Sequence, residues 1–327
     1  MRIVQFSRPG GPETLEVVEV PEPQPGAGTV RVAAEAIGVG ATDVAFRKGT
    51  YPWNSGFPAV PGIELAGRID AVGAGVSAGR VGERVLVSAR ESSFRGGCYA
   101  EKVVVPAEQV FDLPDNVGFA DAAALANAQV AWHLLELAPF DLRDKRVVVM
   151  GAAGGVGGMA VKLAKYAGAK VLAVASSPSR ADSAKRAGAD DIVIAETDHA
   201  EAAARVWNSF DVVVDHLSGP SSAAWVDRLA VNGVVLTYGF QAGSPGVELV
   251  EALAQGMARN VGVRMFSMHS FDERPDDRRA AMRHLIDLVR DGALRPEIGA
   301  SYPLTQAVEA HRHFEERRTP GKVLLVP

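Results

Sequence analysis

A glycine-rich segment, VVVMGAAGGVGG (147–158), carries the clearest chemical signal in this chain. Gly151, Gly154 and Gly157 follow a short apolar run that predicts a buried strand, and a helical apolar pattern starts at about Gly155. In a strand–turn–helix unit, glycines permit a tight turn and let the backbone approach a pyrophosphate, which the first N–H groups of the helix then face. We therefore expect a dinucleotide to bind here, and a glycine-rich packing turn is the alternative. The residues expected to hold it are Gly151, Ala153, Gly154, Gly155, Val156 and Gly157.

The end of the next predicted strand, KVLAVAS (170–176), bears on which nicotinamide cofactor binds. NAD sites usually place Asp or Glu here, where the carboxylate binds the ribose 2′-hydroxyl. In this chain Ser176, Ser177 and Arg180 follow the strand, with no acidic residue before Asp182. Hydroxyl groups and a guanidinium bind a 2′-phosphate that a carboxylate would repel. The sequence therefore favours NADPH, while serines that only cap the next helix are the alternative.

Composition restricts the classes of function. The 327 residues suit about two domains, and with 47% hydrophobic and 22% charged residues they suit ordinary globular cores. The net charge of −5 and the lack of a basic run make nucleic acid an unexpected partner. No apolar run reaches the ~18 residues of a membrane span, and the first residues lack a signal-peptide pattern, so we expect a cytoplasmic protein. A single cysteine, Cys98, cannot form an internal disulfide or a cysteine-rich zinc site.

Element patterns divide the chain into three segments. Residues 1–121 contain many short β-branched runs separated by Pro and Gly, which are typical of a compact, barrel-like β domain. Residues 122–266 alternate apolar strands with helices, which indicates a parallel sheet covered on both faces. Residues 267–327 hold a long helix from about Pro275 and then return to the style of the first segment. We predict an α/β fold in which a doubly wound parallel sheet is inserted into a β-rich domain.

With these motifs in order, the chain resembles the medium-chain dehydrogenase/reductase superfamily, in its zinc-independent quinone oxidoreductase (zeta-crystallin-like) branch. The matching blocks run along nearly the whole length: GVGATDVAFRKGTYP (38–52), PGIELAGRIDAVGAGV (61–76), AAGGVG (152–157) and PGKVLLVP (320–327). The resemblance implies a Rossmann domain inserted into a GroES-like barrel. It also implies a homodimer paired through VGVRMFS (261–267), although a monomer with that edge covered by the following helix is the alternative.

The resemblance implies that no zinc is bound. Zinc alcohol dehydrogenases carry the motifs G-x-C-H-x-D and G-H-E, whose Cys and His bind the metal. This chain reads GVGATD (38–43) and GIE (62–64), so Gly40, Ala41 and Ile63 replace residues that the metal would need. We expect no metal site, and we interpret the scattered histidines as packing or surface residues.

Hydride transfer without a Lewis acid suits activated C=C bonds or quinones, because hydrogen bonds and a proton donor can meet the charge that develops. The resemblance makes Tyr51 the candidate donor, and a Tyr51 that only packs beside Pro52 and Trp53 is the alternative. Asp43 and Arg47 match family positions at i,i+4 spacing, which predicts either a helical ion pair or substrate contacts.

The resemblance also places two loops near the nicotinamide: Tyr238, Gly239 and Phe240 in one, and Phe266 and Ser267 in the other. Gly40 stands where quinone reductases usually carry Asn. The expected activity is an NADPH-dependent reductase of quinones or α,β-unsaturated carbonyls. Two alternatives stay open: a specialised enoyl reductase or reductive cyclase with a polyketide- or thioester-type substrate, and an NADPH-binding protein with little catalysis.

Overall fold

The computed structural model describes residues 1–52, 56–92 and 95–327, which divide into two compact units. The first unit contains residues 1–126 and 282–327, and the second contains residues 127–281. The domain limits predicted from the sequence, after residues 121 and 266, fall earlier than the limits of these units. The reason is that each limit of a unit falls inside a continuous helix, Leu125–Leu135 or Pro275–Arg290, which the sequence pattern assigned to one domain.

The strands in the described residues are β1 (Arg2–Gln5), β2 (Glu16–Glu19), β3 (Thr29–Val39), β4 (Glu64–Val72), β5 (Arg84–Ser88), β6 (Lys102–Pro106), β7 (Phe111–Asp112), β8 (Arg146–Met150), β9 (Lys170–Ala175), β10 (Asp191–Ile194), β11 (Phe210–Asp215), β12 (Leu229–Thr237), β13 (Gly262–Met265), β14 (Ile298–Pro303) and β15 (Lys322–Val326). The α-helices are α1 (Ala41–Arg47), α2 (Phe119–Ala122), α3 (Leu125–Leu135), α4 (Gly155–Tyr166), α5 (Pro178–Arg186), α6 (His199–Ala204), α7 (Ser222–Asp227), α8 (Val247–Gln255), α9 (Pro275–Arg290) and α10 (Ala307–Glu315).

The second unit is built on a parallel sheet of order β10-β9-β8-β11-β12-β13. Its central strands, RVVVM and FDVVVD, are continuous apolar runs because both faces of a parallel sheet are covered. Val148, Leu172, Val213 and Val235 are fully buried, and each such side chain stabilises the fold by about 1.5–3 kcal/mol. This sheet is the predicted Rossmann sheet, so that prediction is confirmed.

The first unit contains a seven-stranded sheet of order β14-β15-β3-β4-β5-β7, with β6 also paired to β3. The C-terminal strand β15 pairs antiparallel with β3, so that Leu325 lies opposite Ile37. Both side chains are fully buried in one core with Val32, Leu65 and Val85. The predicted return of the C-terminus to the first third of the chain is therefore observed. No α-helix in the part of the chain that the structure describes has both the length and the apolar character to span a bilayer.

Candidate functional site

The glycine turn between β8 and α4 has the shape that a pyrophosphate site needs. Gly151 has φ 62°, in the left-handed region that favours glycine. A Cβ atom on Gly157 would lie only 2.2 Å from the Gly151 carbonyl oxygen, so the helix approaches the turn too closely for a larger residue. α4 begins at Gly155 with Gly154 as its N-cap residue and no acidic side chain in its first turn. The first N–H groups of the helix therefore lie at an end suited to an anion.

Sheet topology places this turn at the point where strand order reverses. β9 and β10 lie on one side of β8, while β11, β12 and β13 lie on the other. In open parallel sheets, ligands bind outside the carboxyl ends of the strands at such a point. The predicted cofactor residues of the second unit all follow carboxyl ends, those of β8, β9, β12 and β13.

The end of β9 carries hydroxyl groups and one guanidinium. Ser177 is the N-cap residue of α5, but its side chain makes no capping hydrogen bond. Its Oγ instead lies 3.2 Å from the Oγ of Ser179. Ser176 is exposed, Arg180 is half-buried in the first turn of α5, and that turn holds no acidic residue. Ser177 therefore occupies the helix-capping position that the alternative interpretation gave it, but its hydroxyl does not form the capping hydrogen bond.

The loops after β12 and β13 contain the remaining predicted cofactor residues. The Thr237 hydroxyl donates to the Gly239 carbonyl oxygen at 3.2 Å, and the Phe266 N–H donates to the Thr237 carbonyl oxygen at 2.8 Å. Phe240 exposes 51% of its surface, and burial raises the pKa of Tyr238 above its ordinary value, helped by the Asp215 charge. Ser267 Oγ accepts the His269 N–H at 3.3 Å and caps the short helix Met268–Phe271.

In the first unit, Asp43 and Arg47 do not form the predicted i,i+4 ion pair. Asp43 is buried near the start of α1 and accepts the N–H groups of Gly40 at 2.8 Å and Gly62 at 2.9 Å. Arg47, at the opposite end of α1, pairs with Glu315 of α10. The prediction was wrong because both side chains turn away from each other toward partners outside α1. Burial raises the pKa of Asp43 to about 7, against the opposing effects of the Lys322 charge and the two N–H donors.

Sequence patterns did not predict the buried ion pair between Lys322 and Glu64. Lys322 Nζ at the start of β15 lies 2.5 Å from Glu64 Oε1 at the start of β4, and the two side chains are 4% and 1% exposed. Glu64 Oε2 also accepts the Ala126 N–H at 2.8 Å. The usable signal was a charged residue at the start of each strand, Glu64 in β4 and Lys322 in β15, both inside family blocks.

Tyr51 is half-buried, and its ring lies edge-on to Phe46 with centroids 6.3 Å apart. Its ring packs on the core of the first unit, while Trp53, named in the packing alternative, lies outside the described residues. Another tyrosine, which sequence reasoning missed, is fully buried: Tyr99 Oη lies 3.0 Å from His311 Nε2. Burial lowers the pKa of His311 to about 3, and the Arg47 charge adds to the effect, so His311 is neutral near pH 7.

Comparisons with known proteins agree with this architecture. Residues 26–115 match the family model of the alcohol dehydrogenase GroES-like domain, and residues 187–325 match that of the zinc-binding dehydrogenases. A quinone oxidoreductase from Pseudomonas aeruginosa is 31% identical over 331 residues, which cover 99% of each chain. A 2-haloacrylate reductase from a Burkholderia species is 28% identical and covers 97% of this chain and 96% of its own. The crystal structure of Escherichia coli quinone oxidoreductase complexed with NADPH superposes with a TM-score of 0.87 at 28% identity, covering both chains fully.

The chain belongs to the medium-chain dehydrogenase/reductase superfamily, in its quinone oxidoreductase-like branch. The resemblance on which the sequence analysis relied is thereby confirmed.

The name of the zinc-binding dehydrogenase model raises the question whether this medium-chain reductase could hold zinc. The positions of the zinc motifs carry Gly40, Ala41 and Ile63, none of which has a side-chain donor atom. Among the described residues there is also no cluster of three or more His, Cys, Asp or Glu suited to a metal. The donor chemistry of this chain does not fit the zinc site, and we derive no step through a metal.

Gly40 stands where the resemblance stated above implies Asn, and the structure shows whether glycine is needed there. Its φ of −150° is open to any residue, and a Cβ atom there would make only ordinary contacts of 3.7 Å with Asp43 Oδ2 and Lys322 Nζ. The backbone thus does not require glycine. Because the position is buried, a side chain there would lie beside a buried acid and a buried ammonium group.

Proposed function

We propose that this protein reduces a quinone or an α,β-unsaturated carbonyl with hydride from NADPH, without zinc. The coarser part is established: the chain is an NADPH-dependent oxidoreductase of its superfamily, and the similar Escherichia coli quinone oxidoreductase was crystallised with NADPH. The observation that carries the choice of NADPH is the end of β9, where Ser176, Ser177 and Arg180 stand without an acidic residue.

NADPH, when bound, supplies a hydride ion to the acceptor and becomes NADP⁺. The residues of this chain would bind and orient it. The Gly151–Gly157 turn would hold the pyrophosphate, because its glycines let the backbone come close to the ligand, and Arg180 would neutralise part of the 2′-phosphate charge. These contacts would hold the cofactor on the second unit.

Hydride addition leaves an anion on the acceptor, which must receive a proton. Tyr51 is our candidate donor, because a phenol with an ordinary pKa of about 10 is protonated near neutral pH. Asp43 and Arg47, predicted as catalytic, are buried and bonded to Gly40, Gly62 and Glu315. We propose that they act as positioning residues that fix α1 and the segment after it, which carries Tyr51.

The acceptor is proposed as an activated alkene or a quinone. The name of the Burkholderia relative, 2-haloacrylate reductase, describes a conjugated alkene as its substrate. Glycine at position 40, where the resemblance implies Asn, favours a second candidate, an enoyl reductase for a bulkier, biosynthetic substrate. Relative turnover of a small quinone and a long-chain enoyl thioester would separate the two.

We also propose a homodimer formed through the edge of the Rossmann sheet, in a cytoplasmic protein. β13 is the last strand of that sheet, and Met265 on it is 58% exposed. Unpaired apolar edges favour pairing with another strand, and a second copy offers an identical one. Light scattering after size exclusion should give twice the chain mass, and Met265→Lys should give the monomer mass.

Cofactor preference tests the function directly. Arg180→Ala should weaken NADPH binding by about tenfold or more, the size of one lost charged hydrogen bond of about 1.5–3 kcal/mol, and leave NADH binding unchanged. Kd values from NADPH and NADH fluorescence titrations would measure this. Equal losses for both cofactors would contradict a 2′-phosphate contact, and a wild-type protein that binds NADH more tightly would contradict the choice of NADPH.

A further inference from the structure

The end of β11 places one histidine between two of the proposed cofactor loops. Val214 of β11 lies opposite Val149 of β8, and Asp215 lies opposite Thr237 of β12. Continuing the Val214–Val149 register by two residues brings His216 beside Gly151. On the other side, His216 neighbours Tyr238, whose ring centroid is 6.3 Å from that of His216.

The His216 ring packs directly on the glycine turn. A Cβ atom added to Gly151 would lie 2.6 Å from His216 Cε1, 3.0 Å from Nδ1 and 3.2 Å from Nε2. A Cβ atom on Gly239 would lie 2.5 Å from the His216 carbonyl oxygen. Glycines just after both neighbouring strands therefore make room for this residue, which as a whole is half-buried. The imidazole packs against the glycine turn with its Nδ1 atom buried.

The turn that follows His216 is held in a costly conformation. Ser218 is fully buried at φ 57° and ψ −144°, near the region that is essentially confined to glycine. The buried Asp215 carboxylate accepts the N–H groups of Leu217 at 2.8 Å and Ser218 at 3.2 Å, and the Leu217 carbonyl oxygen accepts the Ala242 N–H at 2.9 Å. Backbone strain that the surroundings maintain is concentrated at ligand sites.

Sheet order assigns the two halves of a dinucleotide to opposite sides of the glycine turn. The pyrophosphate belongs at the end of β8, and the 2′-phosphate belongs at the end of β9. The nicotinamide half must then extend over the ends of β11 and β12, on the far side of β8. His216 is the imidazole-bearing residue at the first of these two ends, where a ring nitrogen can exchange a hydrogen bond with a hydroxyl group.

We propose that His216 is a cofactor-binding residue that hydrogen-bonds a ribose hydroxyl in the nicotinamide half of NADPH. This inference rests on the proposed function, and it assigns a role to a histidine that the sequence interpretation treated as packing or surface.

Calorimetric binding of two ligands to the full chain tests it. NADP⁺ contains both halves of the dinucleotide, whereas adenosine 2′,5′-bisphosphate lacks the nicotinamide half. His216→Phe keeps a ring against Gly151 but removes both nitrogens, so the NADP⁺ Kd should rise about five- to tenfold, as for one lost hydrogen bond. The Kd of the bisphosphate should not change. His216→Gln, which restores a hydrogen-bonding group, should recover most of the NADP⁺ affinity, and His284→Phe, at a half-buried histidine of α9, should change neither Kd.

The outcomes separate the inference from the function on which it rests. An NADP⁺ Kd within twofold of wild type in His216→Phe would overturn the inference alone. Equal weakening of both ligands would also overturn it, because His216 would then only support the glycine turn. His216→Leu, with a smaller side chain, replaces the Phe variant if that variant does not fold. A wild-type chain that binds neither ligand would overturn the proposed function and this role together.

Discussion

Replacing Lys322 with Met would leave the Glu64 carboxylate buried beside a side chain without charge. The two charged atoms are 2.5 Å apart, and both side chains are almost fully buried. Removing one member of such a pair costs about 3–5 kcal/mol, because the remaining charge loses its partner but does not regain water. Glu64 keeps the Ala126 N–H at 2.8 Å, which partly compensates, so we expect a loss near the lower limit, about 3 kcal/mol.

Urea unfolding of four proteins at neutral pH would measure this loss: wild type, Lys322→Met, Glu64→Gln and the double variant. The double variant should lose less than the sum of the single variants, by about 1–3 kcal/mol, because removing both charges leaves neither one unpaired. The matched control is Arg228→Met, which breaks the exposed pair with Glu201 and should cost less than about 1 kcal/mol. A loss below about 1 kcal/mol in Lys322→Met, or strictly additive losses, would refute the reasoning.

Two further perturbations follow from buried groups. Ser218→Gly should stabilise the protein by about 1 kcal/mol in thermal unfolding. Glycine relieves the backbone strain and removes a buried hydroxyl that has no hydrogen-bond partner, and these two gains together exceed the entropy cost of glycine. A lower unfolding midpoint would contradict this. Asp43 has a folded pKa of about 7, above its ordinary 3.8, so its stabilising contribution is present below about pH 4 and is lost as pH rises through about 7. Asp43→Asn should therefore lose less stability than wild type between pH 4 and pH 7 in denaturant unfolding, and parallel pH profiles would refute the raised pKa.

Local sequence patterns predicted the parts of the fold that depend on neighbouring residues. The glycine turn and the polar end of β9 each lie within about ten residues of the strand that positions them, so strand period and turn chemistry were enough. For Asp43 and Arg47, the i,i+4 spacing indicated only that the two side chains would face each other if the segment were helical. The spacing could not show that Arg47 pairs with Glu315, because that partner lies 268 residues away in the chain.

Long-range polar pairs were beyond the reach of the sequence for the same reason. Glu64 and Lys322 are separated by 258 residues, and Tyr99 and His311 by 212. Each pair depends on strands or helices whose adjacency becomes known only with the sheet order. His216 is an intermediate case: its place after the apolar run of β11 is local, but its contact with Gly151 requires β8 and β11 to be neighbours.

The most direct test of the central claim is acceptor-dependent loss of NADPH absorbance with the purified protein. The panel would contain 1,4-benzoquinone, 9,10-phenanthrenequinone, an alkyl enone and crotonyl-CoA, each with NADPH or NADH and with or without EDTA. We predict turnover of at least one quinone or enone that prefers NADPH and is unchanged by the chelator. NADPH binding without turnover of any acceptor, or activity that EDTA abolishes, would contradict a zinc-independent quinone or enone reductase.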